Sequence, residues 1–153
     1  MSVALSLHAL SAVVWVGGML FAHMMLRPVA AQLLEPPVRL SLWLGVFQRF
    51  FPWVWAAIAL LLVTGFWMTL AFLGGFAAAG HYVHLMTGLG ILMMAIFMYL
   101  FFAPYRRLKT AIAAREWGAG VGALARIRRL VGVNVVLGLI VVVLGAAGPY
   151  LGI

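Results

Sequence analysis

Leu7-His8-Ala9-Leu10-Ser11-Ala12-Val13-Val14-Trp15-Val16-Gly17-Gly18-Met19-Leu20-Phe21-Ala22-His23 is an apolar run with a histidine near each end. At about 1.5 Å per residue, a helix through it crosses most of the ~30 Å hydrocarbon layer of a bilayer. Stepping about 100° per residue puts His8, Ser11, Trp15 and Gly18 on one helical face, with His23 about 60° off that line. An ionisable side chain inside a span is costly, so it usually faces a bundle interior and has a partner there. The candidate partner for His8 lies far along the chain, in Gly80-His81-Tyr82-Val83-His84.

The composition agrees with a membrane protein. Hydrophobic residues make up 67% of the 153 positions and charged residues 8%, which excludes a water-soluble domain with an ordinary polar surface. The apolar runs are continuous, whereas a transmembrane β-barrel shows short segments alternating between polar and apolar. With no cysteine, disulfides, iron–sulfur clusters and thiolate metal sites are excluded. A formal charge of +8 invites a nucleic-acid partner, but the positions of the charges argue against one. All ten Lys and Arg residues fall in two connections beside membrane spans, the pattern of the positive-inside rule. A cleavable signal peptide is not expected, because no basic residue precedes the first apolar run and that run is too long for one.

Working outward from the first run, the chain reads as one integral membrane domain over 1–153, with spans at roughly 3–26, 53–73, 82–102 and 130–147. Arg27-Pro28 is expected to stop the first span. Pro37 suits the first turn of a helix, and 38–51 reads as a lead-in along the membrane surface that kinks at Pro52 into the second span. Trp43, Trp53 and Trp55 suit the headgroup level. Gly74–Gly80 is a short uncharged link, and a turn is expected near Trp117-Gly118-Ala119-Gly120. The fold class is therefore all-α, a four-transmembrane-helix bundle. The basic connections belong in the cytoplasm, and both termini belong on the outer, periplasmic side.

That orientation puts His8 and His84 within roughly 3–6 Å of the outer boundary, on different helices. His81 is on nearly the same face as His84, and Gly88 removes a side chain from the adjacent surface. Two imidazoles at one depth suit a metal or a haem iron; a histidine near a helix end also serves simply by snorkelling to the interface or bonding a neighbouring helix. His23 lies near the inner boundary, in a layer with Asn134, and reads as a structural polar contact. Nine methionines suit Cu(I), although methionine is also an ordinary filler of apolar cores. Glu35 and Glu116 are the only carboxylates and both fall in connections, so no carboxylate relay crosses the bundle.

His8-Ala9-Leu10-Ser11-Ala12-Val13-Val14-Trp15-Val16-Gly17-Gly18, with Tyr82-Val83-His84, Arg49-Phe50-Phe51-Pro52-Trp53-Val54-Trp55 and Thr64-Gly65, resembles the copper resistance D (CopD) family of bacterial inner-membrane proteins. The resemblance covers nearly the whole chain and implies copper uptake or tolerance. The related HemJ-type protoporphyrinogen oxidases share the four-helix plan and are thought to bind haem b. In them a first-helix histidine corresponds to His8, and a lysine follows the third-helix histidine by two residues. Met86 stands at that position here, which argues against their oxidase activity.

Two functions follow as expectations. In the first, His8 and His84 hold haem b for electron transfer, with Ser11 or a backbone carbonyl orienting an imidazole and Trp15 and Gly88 shaping the site. In the second, His8, His81 and His84 collect copper and methionines lead it inward. A bundle that binds no cofactor and acts with a partner is the bland alternative. Expected partners are the lipid bilayer and a redox or copper-delivery protein, with a homo-oligomer allowed and nucleic acid not expected.

Overall fold

The structure, a computed structural model, describes residues 1–150. The apolar runs form α1 (Ser2–Leu33), α2 (Pro36–Phe72), α3 (His81–Phe102) with its continuation α4 (Pro104–Ala113), and α5 (Trp117–Ala147). α1, α2, the α3–α4 rod and α5 are each long and apolar enough to cross a membrane. Among the described residues there is no strand.

α1 does not stop at Arg27-Pro28. It widens into π-helical turns at Val13–Gly17 and Ala22–Leu26, then restarts at Arg27 with Pro28 in its first turn. The π turn before it, in which the Arg27 N–H reaches back to the Ala22 carbonyl, accommodates a proline that lacks an N–H of its own. π turns also shift the helical register, so a constant step of about 100° does not carry from His8 to His23.

α2 is a single helix of 37 residues with Pro52 inside it, so the expected surface lead-in and span are one element. Pro52 faces outward, while Trp43, Phe47, Phe51 and Val54 form an unbroken buried stripe. That stripe explains the continuity. Trp43, Phe47, Phe51 and Trp55 recur every four residues, and so do Phe97, Phe101 and Tyr105 on α3 and α4; residues four apart share a helical face. The two ladders mesh: Phe51 stacks on Phe47 at 5.0 Å and meets Phe97 at 5.4 Å and Tyr105 at 4.8 Å, edge to face. Trp43 is thereby buried in the cluster, whereas Trp53 is exposed.

Ala103, the residue before Pro104, leaves the helical region (φ −114°, ψ −81°) and separates α3 from α4, as expected where the next proline ring crowds the backbone. α4 buries Tyr105, Leu108 and Ala111 and exposes Arg106, Arg107 and Lys109. The turn into α5 falls at 114–116, with Arg115 at φ 57°, earlier than the expected Trp117–Gly120. Gly120 has a packing role instead: a Cβ there would lie 2.8 Å from Leu40 Cδ1 on α2.

Glycines of α5 receive large side chains from α3 in antiparallel register. Gly145 faces Met86, Gly138 faces Met93, and Gly148, just past the helix, faces Tyr82. Small residues that admit a neighbouring helix are the usual means of association in lipid, where no hydrophobic force separates helix from solvent. At Gly138 three helices meet, since an added Cβ would also lie 2.8 Å from Val16 Cγ2 on α1. Gly138→Val is expected to destabilise the bundle by about 1–3 kcal/mol through overpacking. Thermal unfolding in detergent measures this, and an unchanged midpoint would show that α1 and α3 give way freely there.

Candidate functional site

α1 packs along α2, and this contact decides the environment of His8. His8 is half-buried, and its Nδ1 lies 2.8 Å from Thr64 Oγ1 on α2. Thr64 donates its hydroxyl proton to the Leu60 carbonyl one turn back, the usual local bond of a threonine inside a helix. A hydroxyl has one proton to donate, so toward His8 the Thr64 oxygen accepts. His8 Nδ1 then carries a hydrogen, and in the neutral ring Nε2 keeps the lone pair. The tautomer is thus assigned by the network. Gly65 completes the cradle: a Cβ there would lie 3.3 Å from His8 Cε1, so a larger residue would press on the ring.

An imidazole fixed through one N–H, with the other nitrogen free to coordinate, is the arrangement that orients histidine ligands in metal sites. Ser11 has no part in it. Its hydroxyl donates to the Leu7 carbonyl of its own helix at 2.8 Å.

His84 takes a different position. α3 buries Met93, Phe97 and Leu100. His84 precedes Met93 by nine residues, which at about 100° per residue is half a turn away. It is exposed, and its ring lies 6.1 Å from that of Phe76 in the α2–α3 link. His81 is also exposed, at the first position of α3. Gly88 is exposed, and a Cβ there would meet nothing within 4 Å, so its small size clears no slot against another helix. Met86 packs on Gly145 of α5. The structure brings His8 to Thr64 and Gly65, and His84 to Phe76.

Below His8 the interior carries soft and polar groups. Trp15 is 2% exposed and meets Phe97 edge to face at 6.3 Å. Met93 and Met19 are buried as well. Asn134 is buried on α5, where its Nδ2 donates to the Met93 carbonyl at 3.1 Å. Trp15 Nε1 and Asn134 Oδ1 are buried with no hydrogen-bond partner, one donor and one acceptor in the same core. His23 does not reach the side chain of Asn134 in these contacts. It lies against Gly132, whose added Cβ would be 3.1 Å from His23 Cε1.

No three His, Asp or Glu side chains converge among the described residues. The donors on offer are imidazole and thioether, which exclude the oxygen-rich sites of Ca²⁺ and Mg²⁺ and favour a soft ion such as Cu(I). Met68 lies one turn from Thr64 along α2, on nearly the same face. His8 is bonded to α2 through Thr64, and the exposed ring of His84 lies beside that of Phe76 in the α2–α3 link.

Thr64 is the partner of His8 that sequence reasoning passed over. Its signal was the Thr64-Gly65 pair at a depth matching His8, read only as part of a family pattern. Among known proteins, a family profile described as Copper resistance protein D matches residues 44–147. No curated protein and no solved structure matches the chain.

Proposed function

The chain belongs to the copper resistance protein D family, and from that premise we propose that it is a multi-pass inner-membrane protein that takes up copper through His8. The observation that carries this is the His8–Thr64 hydrogen bond, which leaves Nε2 as a neutral, oriented ligand. Copper enters as cargo. His81 and His84, exposed at the start of α3, give a first, weakly held encounter with the ion or a delivery protein. His8 Nε2 then takes Cu(I), with a thioether such as Met68 as a second soft donor. Met93 and Met19 lie further along the interior, buried at successive levels of the bundle, and offer thioethers for inward steps.

The direction follows from charge. All ten Lys and Arg residues belong to the connections at one end, so that end faces the cytoplasm and His8 opens to the periplasm. A cysteine placed at Ala78 is expected to react with an impermeant thiol reagent in intact spheroplasts, and one at Ala113 is not. The reverse labelling would invert the direction of transport.

Proteoliposomes holding a Cu(I)-sensitive dye test the function. Wild-type protein is expected to admit Cu(I) faster than empty liposomes, and His8→Ala is not. Entry at the empty-liposome rate would contradict copper transport. Electron transfer through haem b held by His8 and His84 is the second possibility, resting on the sequence resemblance to HemJ-type proteins. A Soret band lost in both His8→Ala and His84→Ala would establish it.

A further inference from the structure

At the opposite end of the bundle from His8, α1 and α5 diverge around a groove of about 360 Å³. His23 forms part of its lining, held against α5 by the missing side chain of Gly132. Arg27 enters from α1 and Arg128 from α5, while Met24, Pro28 and Ala31 supply an apolar wall. A third guanidinium approaches from α2, where Arg39 Nη1 donates to the Ala31 carbonyl at 3.4 Å. Neither carboxylate of the chain lines this groove.

We propose that this groove binds the phosphate group of an anionic phospholipid. Guanidinium groups are planar forks of donors that match phosphate oxygens two at a time. Two of them converge here from separate helices, with Arg128 half-buried, so their mutual repulsion is relieved by a bound anion and by nothing the groove itself contains. The imidazole of His23, which also lines the groove, adds one more N–H donor. The apolar wall suits the glycerol and first methylenes of a lipid, and a basic pocket between helices at the cytoplasmic side is where anionic headgroups are found. A second groove, between α4 and α5, serves as contrast: Arg106, Arg107 and Arg126 line it together with Glu116, which competes for the cations.

Native mass spectrometry of the purified full chain, reconstituted with phosphatidylglycerol or with phosphatidylcholine, tests the site. Wild-type protein is expected to retain one phosphatidylglycerol and no phosphatidylcholine through delipidation. Arg27→Gln with Arg128→Gln is expected to lose retention by about ten-fold or more, since it removes the charge-assisted bonds. Arg106→Gln with Arg107→Gln is expected to keep it. Arg27→Lys with Arg128→Lys, which preserves charge and fold, is expected to fall between the wild type and the glutamine pair. Equal retention in the wild type and the glutamine pair, or equal loss in the control pair, overturns the site. If millimolar inorganic phosphate raises the melting midpoint of lipid-free wild type and displaces phosphatidylglycerol, the phosphate chemistry stands and the lipid source is overturned.

Discussion

His8→Ala is expected to reduce the affinity of the purified protein for Cu(I) to that of nonspecific binding, as measured by competition with a chromophoric Cu(I) chelator. In the proposed role the imidazole is the coordinating group, and no group of three or more His, Asp or Glu side chains converges among the described residues to replace it. Thr64→Val, which keeps the shape of the side chain but removes the acceptor for His8 Nδ1, is expected to weaken Cu(I) binding by about 10–100-fold, the usual effect of losing a group that orients a ligand. Gly65→Val presses on the ring from the same side and is expected to act in the same direction. His84→Ala is expected to slow loading and leave equilibrium affinity nearly intact, because His84 is exposed at the start of α3. Equal loss in His84→Ala and His8→Ala would mean that the two imidazoles share one ion.

Phe51→Ala is expected to cost about 3–5 kcal/mol of stability, the range for emptying a buried aromatic site. Phe51 is 4% exposed and touches Phe47, Phe97, Phe101 and Tyr105, so its removal unlocks α2 from both α3 and α4. Trp53→Ala, two residues away but 65% exposed, is the control and is expected to have little effect. Reversible unfolding in mixed micelles compares them, and equal destabilisation would show that the aromatic ladder does not hold the cation-bearing half of the bundle.

The four-helix plan was legible because length and apolarity alone decide what crosses a bilayer. The prolines were harder to read. Pro28 looks like a stop and Pro52 like a kink between two elements, yet a π turn before one and a continuous buried stripe beside the other carry the helix through. The ladders 43–47–51–55 and 97–101–105 are visible as repeats of four, but an aromatic residue near a span end reads equally well as a headgroup anchor. Depth is likewise legible from the chain and rotation is not. His8 and His84 read as matched in depth, but the face that α3 buries is chosen by Met93, Phe97 and Leu100, and His84 is left exposed. Thr64 stood out only as part of the Thr64-Gly65 pattern, because a threonine in a helix satisfies its own hydroxyl on a backbone carbonyl, and only the packed structure shows the second bond it accepts.

The most direct measurement is the nitrogen NMR spectrum of protein labelled with ¹⁵N at histidine, with His8 assigned by its alanine variant. Before metal is added, His8 Nδ1 is expected at the protonated, pyrrole-type position and Nε2 at the pyridine-type position. Adding one equivalent of Cu(I) is expected to move the Nε2 signal and leave Nδ1 protonated, and Thr64→Val is expected to scramble the two tautomers. A protonated Nε2 in the metal-free protein, or an Nε2 signal that does not respond to Cu(I), would contradict the role assigned to His8.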